Sequence, residues 1–275
     1  MKKIAIILCV MLLNFALATD WDSESALKRV NTIGTKILKA NNINHQIEFK
    51  VSEEDTINAY ANIDKEVYVY KGLLEYVDTD DELAGVISHE MGHIINGHCA
   101  KQGVLNSVIA TIASIFKPTT TAGSVTNAVG QQLAASKISR NDEFEADLTG
   151  VDLMSKGGYN PLGMVSLLSK ISQSYIDILQ SHPSGEKRIQ NAYDYINYNY
   201  PSYISKGYST TSYQNALNMM KSTLSARQSS TALMNKYETA QKKLLAKKQK
   251  REKKMQGTST VWDGYYQTLL YTSGN

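Results

Sequence analysis

Apolar residues recur at helical spacing from Ser23 to Ala40, where Ala26, Leu27, Val30, Ile33, Ile37 and Leu38 form one stripe that predicts an amphipathic helix. The period then shortens to two. Ile47, Phe49 and Val51 alternate with polar residues and predict a strand, and Ile57 to Ile63 and Glu66 to Tyr70 predict two more, joined by a turn at Asn62-Ile63-Asp64-Lys65. A helical pattern returns with Leu83, Val86, Ile87, Ile94 and Ile95. Thr79-Asp80-Asp81-Glu82 has the spacing of a capping box at its start, and Gly97 supplies a stop at its end. Strands followed by a long helix point to an α+β domain.

Further along, the pattern predicts an apolar helix over Gln102 to Phe116, a small polar loop over Pro118 to Ser124, and helices over Ala128 to Ser136 and Asn141 to Lys156. Gly157-Gly158 ends the last of these. Asn160-Pro161, a capping residue followed by proline at the first helical position, opens a helix running to about Gln180, and Pro183 to Tyr198 reads as a short final one. Beyond Pro201 serine, threonine, asparagine and glutamine become frequent. A helical stretch from Ala232 to Lys254 comes next and carries the basic cluster Lys247, Lys248, Lys250, Arg251, Lys253 and Lys254. No internal period supports a helical-repeat module.

The first residues belong to a different pattern. Lys2-Lys3, an apolar run from Ile4 to Leu13 and Ala16-Leu17-Ala18 have the layout of a secretory signal peptide cut after Ala18. The run is too short to span a bilayer comfortably. Cys9 follows Leu8 rather than a small residue, which argues against a lipoprotein. Removing residues 1–18 leaves Cys99 as the lone cysteine and no intramolecular disulfide, so an exported chain of this kind depends on its core and on any metal it holds. The formal net charge of +3 is too small to make nucleic acid an expected partner.

Chemistry concentrates in His89-Glu90-Met91-Gly92-His93. Residues four apart on a helix share a face, so His89 and His93 can aim two imidazoles at one metal ion, with Glu90 beside them to take a proton from metal-bound water. Two histidines leave zinc short of a third protein ligand. The metzincin completion fails, because Asn96 stands where glycine is required and Cys99 where the third histidine belongs. His98 comes one residue early, about 100° away around a continuous helix. Glu143 and Asp147, also four apart, offer another completion: Glu143 as ligand, and Asp147 as the carboxylate that orients a ligating imidazole. The same acidic residues would equally suit a solvated helix start, where carboxylates favour the dipole.

With Ser139-Arg140-Asn141-Asp142-Glu143-Phe144-Glu145-Ala146-Asp147 after the HExxH motif and His98, the chain resembles the gluzincin metallopeptidases of the HtpX and CAAX prenyl protease type. Asn58-Ala59-Tyr60-Ala61, Val67-Tyr68-Val69-Tyr70-Lys71-Gly72-Leu73-Leu74 and His182-Pro183-Ser184-Gly185-Glu186-Lys187-Arg188-Ile189 match as well. The likeness covers about residues 55 to 190. It implies a zincin-like α+β fold, mainly helical, with a small mixed sheet beside the motif helix. It also implies one zinc ion held by His89, His93 and Glu143, with Asp147 behind them, and a cleft bordered by the strand Val67, Tyr68, Val69 and Tyr70. Unlike the membrane-embedded members, this chain shows no transmembrane helices and is more similar to the soluble, exported branch linked to envelope quality control.

These readings divide the chain into a signal peptide (1–18), a zinc metallopeptidase domain (19–205) and a polar and basic, partly helical C-terminal extension (206–275). The expected activity is endopeptidase cleavage of extended or misfolded polypeptides in the periplasm, or secreted beyond it. Glu90 is the general base, and the substrate adds as a strand beside Val67 to Tyr70. His182 either stabilises the oxyanion or occupies the open zinc position and holds the enzyme latent; otherwise it is a structural histidine pinned by Arg188. His98 is expected to cap or pack the helix end, and His45 to lie at the surface. Two rival functions are a zinc-stabilised chaperone that binds without cutting, and a protein that binds an anionic envelope surface through its basic tail.

Overall fold

A computed structural model describes residues 21–43, 47–103, 139–174, 178, 182 and 185–257. The expected signal peptide, His45, the loop over Pro118 to Ser124, the helix over Ala128 to Ser136 and most of that over Gln102 to Phe116 lie outside the described residues.

Helix α1 (Ser23–Ala40) starts where the Asp22 carboxylate accepts the backbone N–H groups of Glu24 and Ser25. Its stripe buries Val30, Ile33 and Ile37. Strands β1 (Glu48–Ser52), β2 (Ala59–Ala61) and β3 (Glu66–Tyr70) form a mixed sheet in the order β1-β3-β2, with β1 parallel and β2 antiparallel to β3. The strand expected over Ile57 to Ile63 is therefore only three residues long. The turn between β2 and β3 places Lys65 at φ 64°, and Asn62 ties it by accepting the Glu66 N–H on its side chain. Alternation sends Phe49, Ala59, Val67 and Val69 into the core. On the other face Tyr60 stacks on Tyr68, their ring centroids 4.9 Å apart.

Helix α2 (Lys71–Tyr76) leads into α3 (Asp80–Ile95), which carries HExxH and is buried along nearly its whole length. Thr79 accepts the Glu82 N–H, but Glu82 does not reach back to Thr79 to close the expected box. Its two oxygens instead take the Asp78 N–H at 2.8 Å and the Ser166 hydroxyl at 2.6 Å, which fixes the buried carboxylate between two elements. The chain stops at Gly97, with φ 76°, and a short helical stretch covers 98–103.

Helix α4 (Arg140–Lys156) has a complete capping box between Ser139 and Asp142. It crosses α3 so closely that a Cβ on Gly92 would stand 2.7 Å from the Ala146 carbonyl oxygen. One on Gly150 would stand 3.1 Å from the His89 nitrogen. The two glycines let the backbones approach to the distance at which side chains of both helices share one site.

Helices α5 (Leu162–Ser172) and α6 (Glu186–Asn199) pack on this pair, and α5 ends eight residues before the expected Gln180. Then come α7 (Pro201–Lys206), α8 (Thr211–Gln228) and α9 (Thr231–Gly257). The composition changes near 205, yet Tyr213, Ala216 and Met220 of α8 are buried in the same core as α5. Arg227 pairs with Asp194, and Lys248 of α9 lies 3.0 Å from Asp152, so both helices are fastened to α4 and α6. Among the described residues no helix is long and apolar enough to cross a membrane.

Candidate metal centre

The close crossing of α3 and α4 brings His89, His93 and Glu143 together, and the segment before α6 adds His182. These four residues are 6%, 1%, 0% and 5% exposed, so their polar atoms have exchanged water for one another. Each offers one donor atom, and the four atoms lie within 4.8 Å of one another. His89 Nε2 is 3.1 Å from His93 Nε2 and 3.3 Å from His182 Nδ1. Glu143 Oε1 is 3.0 Å from His182 Nδ1 and 3.3 Å from His93 Nε2.

Such a group fits zinc. Tetrahedral zinc with bonds of about 2.0–2.1 Å separates its ligand atoms by roughly 3.3 Å, close to the 3.0–3.3 Å of the four contacts just given. The donor chemistry agrees: lone pairs on imidazole nitrogen and carboxylate oxygen, buried and facing each other, repel unless a cation or a shared proton lies between them.

The surroundings fix these donors. His89 Nδ1 stands 2.9 Å from Asp147 Oδ1, which leaves Nε2 to face the cluster. Arg188 grips Asp147 with two contacts of 2.7 Å and reaches Glu143 Oε2 with its third nitrogen at 2.5 Å. Burial lowers the pKa of both ligating histidines, that of His93 to about 4, which favours the neutral form a metal needs. Burial would raise the Glu143 carboxyl, but His182 and His93 hold it well below its ordinary range. Arg188 does the same for the buried Asp147. His182 is also buried, yet the carboxylates of Glu90 and Glu143 outweigh that and raise its pKa.

Glu90, 2% exposed, places Oε1 3.5 Å from His182 Nε2. Beside it lies a small cavity of about 30 Å³, walled by Val86, Met164, Leu167, Leu168 and Ile171 and closed by Ile178 and His182. All the residues expected at the site from the HExxH and downstream motifs, Arg188 included, therefore meet here. His98 meets them too: of the two roles expected at the helix end it packs, lying on His93 in the last turn of α3, Nδ1 to Nδ1 3.0 Å.

The expected substrate strand needs correcting. Val67, Tyr68, Val69 and Tyr70 form β3, the central strand, paired to β1 over its whole length and to β2 over Val67 to Val69. Both its edges are taken, so no further strand can pair with it there. The strand at the sheet edge next to α3 is β2. Its register turns the backbone groups of Tyr60 towards β3 and those of Ala59 and Ala61 outward, where Cys99 Sγ meets the Ala61 carbonyl oxygen at 3.6 Å.

Comparison with known proteins agrees with this geometry. Residues 24–196 match the profile of Peptidase family M48. The chain is 28% identical over 183 residues to the β-barrel assembly-enhancing protease of Yersinia pestis, covering 59% of this chain and 37% of that protein. It is 31% identical over 188 residues to the metalloprotease LoiP of Escherichia coli, covering 63% and 71%. It is 33% identical over 184 residues to the metalloprotease YcaL of the same organism, covering 58% and 68%. The Yersinia relative is thus matched over little more than a third of its length.

Proposed function

The chain belongs to peptidase family M48, and on that premise we propose that it is a zinc-dependent endopeptidase acting on extended or misfolded polypeptides of the cell envelope. The observation that carries this reading is the convergence of buried His89, His93 and Glu143 donor atoms on one point, each within reach of a single ion, with Glu90 alongside. Bound there, zinc would acidify a water molecule and polarise the scissile carbonyl.

The chain's own residues do the rest. Glu90 takes a proton from the attacking water and returns it to the leaving amine. Asp147 and Arg188 hold His89 and Glu143 in place, so that no reorganisation is needed during reaction. His182 stands in the fourth position of the cluster, where water has to enter. We read this arrangement as the latent form of the enzyme, from which His182 withdraws for turnover.

The substrate is a chain in extended conformation, recognised through its backbone without strict sequence preference; the β2 edge itself is already engaged, the Ala59 N–H by Asn58 Oδ1 and the Ala61 carbonyl by Cys99. The apolar cavity beside Glu90 suits an apolar side chain next to the cut bond. One relative is a protease that enhances β-barrel assembly, which supports envelope proteins as the substrate class. Export to the periplasm through residues 1–18 belongs to the same proposal, as does contact with an anionic envelope surface through the exposed Lys242, Lys243, Lys247 and Lys250 of α9.

The purified protein carrying Glu90→Gln is expected to keep stoichiometric zinc and lose cleavage of unfolded casein. The unaltered protein should cleave casein in a chelator-sensitive way. Binding of casein without cleavage by the unaltered, zinc-loaded protein would mark it as a chaperone and sink the peptidase assignment.

A further inference from the structure

We propose that His98 is a positioning residue of the metal site, holding the His93 imidazole in the tautomer that presents Nε2 to the metal. The inference rests on the metallopeptidase reading of the cluster and assigns one more residue to it.

His93 Nε2 faces His89 Nε2 and Glu143 Oε1, so its lone pair has to be free on that side. The ring proton then belongs on Nδ1, and the atom that meets it is His98 Nδ1 at 3.0 Å. Two imidazole nitrogens at that distance share one proton, donated from one side and accepted on the other. With Nδ1 as acceptor, His98 carries its own proton on Nε2. That nitrogen faces Asp142 Oδ1 at 3.7 Å and Glu145 Oε2 at 3.6 Å, two carboxylates that favour an N–H pointing at them. The order of donors and acceptors is thus set from the carboxylates through His98 to His93. Both rings are buried, at 7% and 1% exposure, where an unmade hydrogen bond is costly.

The backbone explains how His98 arrives there. On an unbroken helix it would point about 140° away from the face of His93. Gly97, at φ 76°, breaks α3 one residue earlier, and the Asn96 side chain donates to Thr149 Oγ1 of α4 at 3.0 Å. The chain restarts at 98 turned back towards the ligands. Because Asp142 and Glu145 flank Glu143 on α4, His98 ties the helix that delivers the third ligand to the imidazole of the second. His89 needs no such residue, since Asp147 serves it directly.

Two substitutions separate positioning from packing. His98→Asn keeps an acceptor oxygen near the place of Nδ1 but loses the ring; His98→Phe keeps a ring and loses the acceptor. Zinc affinity of the full chain, measured by competition with a chromogenic chelator, is expected to fall by about 10- to 100-fold in His98→Phe. It should stay within a few-fold of the unaltered protein in His98→Asn. The visible spectrum of the cobalt(II)-substituted protein should shift in the first and not in the second, with zinc-free thermal stability recorded for both. Unchanged affinity in His98→Phe, or an equal loss in both folded variants, overturns the proposal. Should either variant not fold, the double substitution Asp142→Asn, Glu145→Gln decides with His98 intact. A several-fold loss of zinc affinity supports the relay, and unchanged affinity overturns it. Failure of the unaltered protein to bind zinc would instead sink the metal-site reading beneath it.

Discussion

Arg188 and Asp147 form a two-pronged ion pair, Nε to Oδ2 and a terminal nitrogen to Oδ1, both at 2.7 Å and both buried. The third guanidinium nitrogen sits 2.5 Å from Glu143 Oε2, so one side chain neutralises both the ligand carboxylate and the carboxylate behind His89. Removing it leaves two acids buried without their counter-charge. Arg188→Met is expected to destabilise the zinc-free protein by about 3–5 kcal/mol. Arg188→Lys should recover little of this, since an ammonium cannot reproduce the planar fork. Denaturant unfolding with chelator present checks both, and a loss below about 1 kcal/mol in Arg188→Met would contradict the role given to the pair.

The titration shifts fix the direction of pH dependence in the zinc-free protein. Glu143 and Asp147 have folded-state pKa values below their unfolded ones, so their contribution is present above about pH 4 and disappears as pH falls towards the folded values. His93 acts in the same sense over a higher window. Its pKa drops from 6.5 unfolded to about 4 folded, so the folded state loses stability as pH falls from 6.5 towards 4. His182 is raised and acts oppositely, losing its contribution as pH rises above its ordinary range. Between pH 7 and 4 the two histidines with lowered values, His89 and His93, oppose the one that is raised, His182, and predict a net loss of stability, while protonation of His93 should weaken zinc binding over the same interval. Melting temperatures across that range, with and without zinc, test the sign; a zinc-free protein more stable at pH 4.5 than at pH 7 would refute it.

Gly92 lies between the two metal-binding histidine positions of the motif and faces Ala146. A methyl group there would sit 2.7 Å from a backbone oxygen, which cannot swing aside as a side chain can. Gly92→Ala should therefore push α3 and α4 apart, at a cost of roughly 1–3 kcal/mol. Because Glu143 rides on α4, zinc occupancy should fall as well. Loss of stability with full zinc occupancy would mean that the ligands tolerate a wider crossing than the geometry implies.

Local spacing decides how much of this is legible in the chain. His89 and His93 are one helical turn apart, and Glu143 and Asp147 another, so spacing alone places each pair on a face. The role of His98 is hidden because it depends on a backbone break at Gly97, which redirects everything after it. A two-residue period reveals which side chains of Val67 to Tyr70 face the core but not the order of strands, and so a central strand passes for an edge. Helix α8 is hard to read because its stripe is thin, Tyr213, Ala216 and Met220 among many serines, threonines and asparagines.

That thin stripe makes the C-terminal boundary testable. The composition change near 205 invites truncation there, but α8 fills the core against α5. Deleting residues 206–275 exposes this surface, with each large buried side chain worth roughly 1.5–3 kcal/mol, and should give an insoluble or unfolded protein. Deleting 230–275 removes α9 and the C-terminal residues beyond it while sparing α8. It should leave a folded, zinc-binding protein of lower melting temperature, since Lys248 no longer faces Asp152 and Tyr237 no longer donates to the Asp194 carbonyl. Size-exclusion chromatography and zinc content of the two truncations decide the matter, and a well-folded 1–205 fragment would show that α8 is dispensable.

His182 offers the sharpest division between outcomes. Its Nδ1 is as close to Glu143 and His89 as a ligand would be, and its Nε2 reaches towards Glu90, so in this conformation it crowds both the metal position and the base. If the closed form dominates, removing the imidazole frees the position for water, and His182→Ala should raise casein cleavage. A closed population of about 99% sets a ceiling near 100-fold on that gain. Zinc affinity should fall somewhat in the same variant, because one donor of four is lost, so rates must be taken at saturating zinc. If His182 instead donates to the developing oxyanion, the same substitution lowers kcat with KM little changed. A residue that only packs would alter melting temperature and neither constant. Activation is the expected result, because the two carboxylates that raise the His182 pKa also hold its ring over the metal position.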